Sequence, residues 1–243
     1  MLEFYKEPGV TPLEFINTIK KQYPDTKICY TARLDPMARG KIPVLFGEEC
    51  KSMHNYTNLS KTYEVKVIVG YKTDSDDALG ILEDNLFHSL DNTKMTSHEF
   101  ITNYKSSFDI EKEITITQNY HYFSTKELLA RSKNKGIDIT HTHVVKLFSS
   151  KIISHGELDF KEWIKECISS IDKVDKTKEF RQKEIIEQWE NYLDYDIKTV
   201  HYITLQLHVG SGFFVRQFIR DSSDKIGIPL MCYDIHRISI DYK

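Results

Sequence analysis

Residues 61–70 read KTYEVKVIVG, where Tyr63, Val65, Val67 and Val69 alternate with Glu64, Lys66, Ile68 and Gly70. Successive side chains of a strand point to opposite faces, so this alternation demands a strand with one buried face. Residues 202–209 repeat the pattern through Ile203, Leu205, Leu207 and Val209. A last strand is expected near 235–241, and 137–154 alternates more weakly. The helices are announced by their ends. Thr11-Pro12-Leu13-Glu14 is a capping box with proline at the first helical position, predicting a helix to about Tyr23, where Pro24 and Asp25 break it. Thr96 with Glu99, and Ser124 with Glu127, repeat the device. Residues 157–172 place Phe160, Trp163, Ile164, Cys167, Ile168 and Ile171 at helical intervals, and the charge-rich stretch after them is also predicted helical. A final helix is expected from about Gly212 to Gly227, with Pro229 just beyond. Strands and helices mix without a regular βαβ rhythm and without an internal repeat. The expected class is α+β, a mixed and largely antiparallel sheet flanked by helices.

A chain of 243 residues can bury a real core. It holds no apolar run of about 20 residues, which excludes a spanning helix, and MLEFYKEPG lacks the basic-then-apolar order of a secretory signal. The four cysteines, Cys29, Cys50, Cys167 and Cys232, lie far apart in sequence and form no CxxC pair, which points to reduced thiols in a cytoplasmic protein rather than a zinc or disulfide framework. The net charge of −3 does not itself suggest a nucleic-acid binder, but a basic groove can coexist with acidic faces.

The densest chemical signal is YTARLDPMARGKIPVLFGEECK, residues 30–51. Asp35-Pro36, Gly40, Pro43 and Gly47 follow closely, so turns and irregular backbone are expected there rather than a long helix. A lone carboxylate, Asp35, sits between Arg33 and Arg39. From chemistry alone it is as well read as the cap of a turn before Pro36 as a catalytic group. Tyr63, read alone, is better explained by packing on the strand's buried face. The acidic run Asp74, Asp76, Asp77 lacks the full spacing of a calcium loop, so a hydrogen-bonded structural loop is favoured over a metal site. His141 and His143 are read as a strand edge rather than a metal pair.

The 30–51 segment resembles the catalytic loop of the TruB family of tRNA pseudouridine synthases. Thr31, Leu34, Asp35, Pro36, Ala38, Gly40, Pro43, Gly47, Glu48 and Lys51 match its pattern in register. Other matches follow in the right order: Lys6, Gly9 and Thr11; Lys61, Tyr63, Val65 and Gly70 with Thr73, Asp74, Asp76 and Gly80; Gly212, Phe214, Arg216 and Asp221; and Ile235-His236-Arg237. Gln118 with Phe123-Ser124 is a weaker echo, with Tyr120 and His121 where the family has prolines.

The resemblance implies the pseudouridine synthase fold and the isomerisation of uridine in tRNA, at uridine 55 of the T-loop. The base must leave the stack and be detached from C1′, rotated and rejoined through carbon. It implies Asp35 as the catalytic carboxylate, Tyr63 as the ring beneath the flipped base, and Arg216 as the partner of Asp35. Tyr30, Thr31, Arg33, Leu34, Phe214 and Ile235 are expected to contact the substrate, and Lys6 and Lys61 its phosphates, as are Lys51 and Arg39. No cofactor or metal is implied. The expected partner is the T-arm of tRNA, with no membrane and no obligatory protein partner. Two other readings keep the groove but change its use: RNA binding or folding without turnover, or catalysis on another RNA.

The chain also departs from the family. Tyr30 replaces a histidine, Arg33 a small residue, and Phe214 stands where tyrosine is common. No C-terminal RNA-binding domain of the PUA type is expected. Residues 156–200 fall outside the resemblance and are expected to be a helical insertion, with 1–155 and 201–243 forming the catalytic domain. The Trp163 stripe needs a covering surface, its own core or another molecule, and Lys173, Lys176, Lys178, Arg181 and Lys183 offer charges for RNA, although a solvated helix face is the better reading.

Overall fold

The structure, a computed structural model, describes residues 1–83, 96–121, 140–177 and 180–242. In chain order it contains β1 (Leu2–Lys6), α1 (Pro12–Gln22), β2 (Ile28–Tyr30), β3 (Ala38–Phe46), a 3-10 segment (Gly47–Tyr56), β4 (Lys61–Val69), α2 (Ser97–Phe108), β5 (Ile114–His121) and β6 (Thr140–Asp159). Then follow α3 (Phe160–Asp172), α4 (Gln182–Asn191), a single 3-10 turn (Tyr192–Asp194), β7 (Thr199–Val209), α5 (Val215–Ile226) and β8 (Leu230–Ile240). Eight strands form one sheet in the order β1-β3-β8-β4-β7-β6-β5, with β2 also on β3. β3 and β8 run parallel over Ala38–Gly40 and Ile235–Arg237, and the other strand pairings named here are antiparallel.

The capped helices start where the sequence predicts. Thr11 and Thr96 each accept from the backbone N–H three residues on, while Glu14 and Glu99 return to the cap's own N–H. The box of Ser124 and Glu127 lies outside the described residues. The third helix begins later than predicted, at Phe160, because residues 157–159 still pair with β7 as strand. Helix α4 occupies only Gln182–Asn191 of the charge-rich stretch.

One expectation fails in the 30–51 segment. Residues 38–46 are a nine-residue strand rather than irregular backbone. Pro43 is tolerated because its backbone faces Thr31, just past the end of β2, where the Thr31 N–H donates to the Pro43 carbonyl at 3.2 Å; only the return bond is lost. At Gly40 φ is +131°, and a Cβ there would stand 2.5 Å from the Arg237 carbonyl, so glycine is what lets β3 and β8 meet.

The sheet is buried on both faces. Val65, Val67 and Val69 of β4 join a core with Leu205, Leu207, Phe100, Phe218 and Ile219. Ile68 points the other way, into a core with Met231, Tyr71, Trp163 and Trp189. The alternating strand read from the sequence therefore has two buried sides over its last third. Helices α3 and α4 cover that second side. Trp163 and Trp189 meet edge to face with centroids 5.3 Å apart, and the Trp189 indole donates to the Gly80 carbonyl at 3.1 Å. The protein's own core thus covers the Trp163 stripe. Among the described residues no helix is long and apolar enough to cross a membrane.

Candidate active site

The Asp35 loop, residues 31–37, links β2 to β3 and is clamped from beneath by side chains that stand on the sheet. Lys6, at the end of β1, is fully buried. Its ammonium donates to the carbonyls of Glu7, Pro36 and Ala38, at 3.1, 3.0 and 2.6 Å. The Gly9 N–H adds a second bond to the Pro36 carbonyl at 2.9 Å. Arg237 of β8, 1% exposed, donates twice to the Lys41 carbonyl and once to that of Arg33. Within the loop the Ala38 N–H closes a turn onto the Asp35 carbonyl at 3.0 Å. Backbone carbonyls that β3 would otherwise leave unpaired are thus satisfied by cations.

The carboxylate of Asp35 projects from this clamped loop with 48% of its side chain exposed. Arg216, in the first turn of α5, reaches it: Nε donates to Oδ2 at 2.9 Å. The same guanidinium donates to the Ser75 carbonyl at 3.0 Å and lies 3.2 Å from the Asp77 carboxylate. One turn further on, Arg220 pairs with Asp76 at 2.5 Å and donates to the Asp74 carbonyl at 3.2 Å. Burial works against the Arg216 charge, but Asp35, Asp77 and Asp76 outweigh it and push the guanidinium above its ordinary value. Burial pushes Asp77 upwards, opposed by Arg216, the Ser75 hydroxyl and the Leu79 N–H.

The acidic run of residues 74–77 is a buried, internally bonded loop. Thr73 donates to the Asp77 carbonyl at 2.7 Å, Arg181 pairs with Asp74 at 2.7 Å, and Asp76 adopts a left-handed φ of 61°. Arg181, suggested as an RNA contact by its place in a charged stretch, is instead an anchor for this loop.

Tyr63 lies in the core. It stands opposite Arg237 in the β4–β8 register and is 7% exposed. Burial raises its phenol pKa; Arg237, which hydrogen-bonds it, lowers it, and the charge of Asp35 raises it further. Leu34 and Ile235, 4% and 5% exposed, pack in the same core as Tyr63. Phe214 caps α5 with 36% exposure. Its backbone is gripped by the buried side chain of Gln118, which donates to the Phe214 carbonyl and accepts from its N–H, both at 2.9 Å. Tyr30 is half-buried at the end of β2, Thr31 is buried, and Arg33 is exposed beside Asp35.

Some expected contacts are corrected. Lys6 and Lys61 cannot meet phosphate in this arrangement. Lys6 is spent on carbonyls, and Lys61, 8% exposed, donates to the Leu59 carbonyl at 2.6 Å. Burial pushes both down to about 8. Arg39 forks onto Asp234 at 2.8 Å through Nε and NH2, with Tyr5 on its third nitrogen. Lys51 stays on the surface, paired with Glu48 at 2.5 Å. Ile235, 5% exposed, lies within the core opposite Val65. The sequence reading missed Lys6, Arg237 and Gln118 as holders of the site. All three stand in matched segments, but their roles depend on neighbours distant in sequence.

Two hollows, of about 240 Å³ beside Glu3, Lys41 and Tyr242 and about 430 Å³ between α3 and α4, do not have Asp35 on their walls. Asp35 lies outside both, with its carboxylate half exposed at the surface.

Residues 20–113 match the TruB family pseudouridylate synthase N-terminal domain. The chain is 29% identical over 169 residues to tRNA pseudouridine synthase B of Staphylococcus aureus strain JH9, covering 67% of this chain and 52% of that one. It is 38% identical over 77 residues to tRNA pseudouridine synthase B of Blochmanniella floridana, covering 32% and 30%. The chain thus spans about half the length of the Staphylococcus relative. Among solved structures, one described as a Cbf5-Nop10-Gar1 complex superposes with a TM-score of 0.53 at 13% identity, over 97% of this chain and 47% of that one. An H/ACA RNP bound to a substrate RNA containing 2′-deoxyuridine gives 0.50 at 13% identity, over 97% and 45%. At that identity the likeness speaks for the fold, which is the pseudouridine synthase fold. The matched domain, the relatives and the fold agree with the motif register around Asp35: over residues 20–113 the chain is similar to the TruB family.

Proposed function

We propose that this protein converts uridine to pseudouridine in tRNA, at uridine 55 of the T-loop, with Asp35 as the catalytic carboxylate. The observation that carries the reading is the Arg216–Asp35 pair, 2.9 Å apart, with the Asp35 carboxylate half exposed and the buried Tyr63 near enough to feel its charge. A merely structural ion pair would not need an exposed loop held rigid by two buried cations. Asp35 attacks C1′ or assists departure of the base, and Arg216 fixes which carboxylate oxygen is presented. Tyr63 supports the base from below, and Phe214 walls one side. The base comes out of its stack to reach them, at a cost the RNA contacts must offset. Arg33, exposed two residues before Asp35, meets the RNA backbone. The tRNA assignment rests on the named activity of the relatives, and the T-loop on the motif resemblance.

The test is to incubate the protein with unmodified tRNA transcript and map pseudouridine by carbodiimide treatment and primer extension. A stop at position 55 with wild type and none with Asp35→Asn is expected. RNA binding without a stop from either protein would reject the enzyme, and a stop elsewhere would reject the site.

A further inference from the structure

The sequence separates Cys29 and Cys50 by a loop and a strand, yet the fold brings their side chains together. Cys29 lies in β2 and pairs in register with Leu45 of β3. The chain then turns at Gly47, whose N–H returns to the Lys27 carbonyl at 2.8 Å, and enters the 3-10 segment. That turn carries the Cys50 Sγ to 3.4 Å from the Leu45 carbonyl and 3.6 Å from that of Lys27. Those two carbonyls flank Cys29 along β2 and across it. The Cys50 side chain thus lies against the backbone on either side of Cys29 and close enough to raise the pKa of its thiol, and both cysteines are partly exposed. Cys167 and Cys232, by contrast, are buried in the core.

We infer that Cys29 and Cys50 form a reversible redox site, closed to a disulfide by peroxides, that brackets the Asp35 loop. The chemistry balances with a hydroperoxide as oxidant. The Cys50 thiolate attacks one peroxide oxygen; the O–O bond breaks, and the departing hydroxide takes up a proton as water. Cys50 becomes a sulfenic acid. Sulfur of Cys29 then attacks the Cys50 sulfur; the S–O bond breaks, and the Cys29 proton leaves with that hydroxide as a second water. The two thiols lose two electrons and two protons, and the peroxide is reduced to two waters. The closed ring runs from residue 29 to residue 50. It therefore encloses the Asp35 loop and all of β3, whose first half Lys6 and Arg237 already hold at the Ala38 and Lys41 carbonyls. A cross-link over a short ring of native neighbours restrains the unfolded chain, so the oxidised protein melts several degrees higher than the reduced one.

The experiment treats the full chain with a small molar excess of hydrogen peroxide, blocks remaining thiols by alkylation, and maps peptides without reductant. The expected product is an intramolecular Cys29–Cys50 peptide pair that dithiothreitol reverses. Cys167 and Cys232 should be alkylated only after unfolding. Cys29→Ser should accumulate a sulfenic acid at Cys50 that dimedone traps, and neither Cys29→Ser nor Cys50→Ser should form the intramolecular disulfide. The variants are conservative and partly exposed, and melting of each reduced protein checks its fold. Free Cys29 and Cys50 after peroxide, or a disulfide only between molecules, would overturn the inference.

Discussion

Arg237 and Arg216 are both guanidiniums at the Asp35 loop, and they do opposite work. Arg237 lies inside the sheet and spends its donors on the Lys41 and Arg33 carbonyls. Arg216 comes from a helix, keeps a third of its side chain exposed, and spends its donors chiefly on carboxylates. Lys6 belongs with the first and Arg220 with the second. A cation bonded to carbonyls holds backbone in place and carries no charge partner to exchange. A cation bridging carboxylates can orient a reacting group, because its partner faces solvent. The sheet side therefore builds the loop, and the helix side presents its chemistry.

The sharpest test of that division is Asp35→Asn. Activity should fall by at least about 10³-fold, because the amide cannot act as a nucleophile. Stability should hardly move, since Arg216 keeps Asp77 and the Ser75 carbonyl. Single-turnover assays and melting curves read the two effects. A large loss of stability would mean that Asp35 is part of the scaffold after all.

Arg237→Met should do the reverse. It strips the Lys41 and Arg33 carbonyls of their partners inside the protein and should cost about 3–4 kcal/mol in urea unfolding. A cost near zero would mean that water replaces the guanidinium, and the clamp would lose its meaning. Arg216→Lys is the milder change on the helix side. It keeps the charge but loses the fork that reaches Asp35, Ser75 and Asp77 together. Activity should drop by roughly 10–100-fold, mostly in kcat, with unfolding altered by less than about 1 kcal/mol.

The comparison also shows what a sequence can carry. Strand β4 and the caps of α1 and α2 were legible because their signals are local: period-two alternation, and a hydroxyl three residues before a carboxylate. Motif resemblance singled out Asp35, Arg216 and Tyr63, and the structure brings the first two into contact. Lys6 and Lys61 were misread because a lysine's role is set by what surrounds it. Lys6 sits 30 and 32 residues from the Pro36 and Ala38 carbonyls it holds, and a lysine that ends a strand looks in sequence like any surface charge. The strand at 38–46 was hidden by Gly40 and Pro43, whose usual meaning is a turn. Here glycine permits a close approach to Arg237, and the proline falls where only one bond is lost. The second buried side of β4 was hidden too, because α3 and α4 lie some 90 residues or more further along the chain.

The smallest expected effect is a pH dependence that separates Lys6 from an ordinary lysine. Burial pushes it down to about 8, against the pull of Asp35. Below that pH the folded and unfolded chains both hold the proton, and the full cost of burying the charge is present. Between about 8 and the ordinary lysine value near 10.4, the unfolded chain holds a proton that the folded chain has shed, so stability rises with pH. From pH 7 to 9.5 the gain should be about 1–2 kcal/mol. Tyrosines and cysteines titrate in the same range, so the quantity to measure is the difference between wild type and Lys6→Met in urea midpoints at each pH. Lys6→Met should be less stable at pH 7, because three carbonyls lose their donor, and the gap should widen towards pH 9.5 as wild type sheds the buried charge. A constant gap would mean that the three carbonyls hold the ammonium charged throughout, and that the clamp depends on hydrogen bonds to a permanent cation.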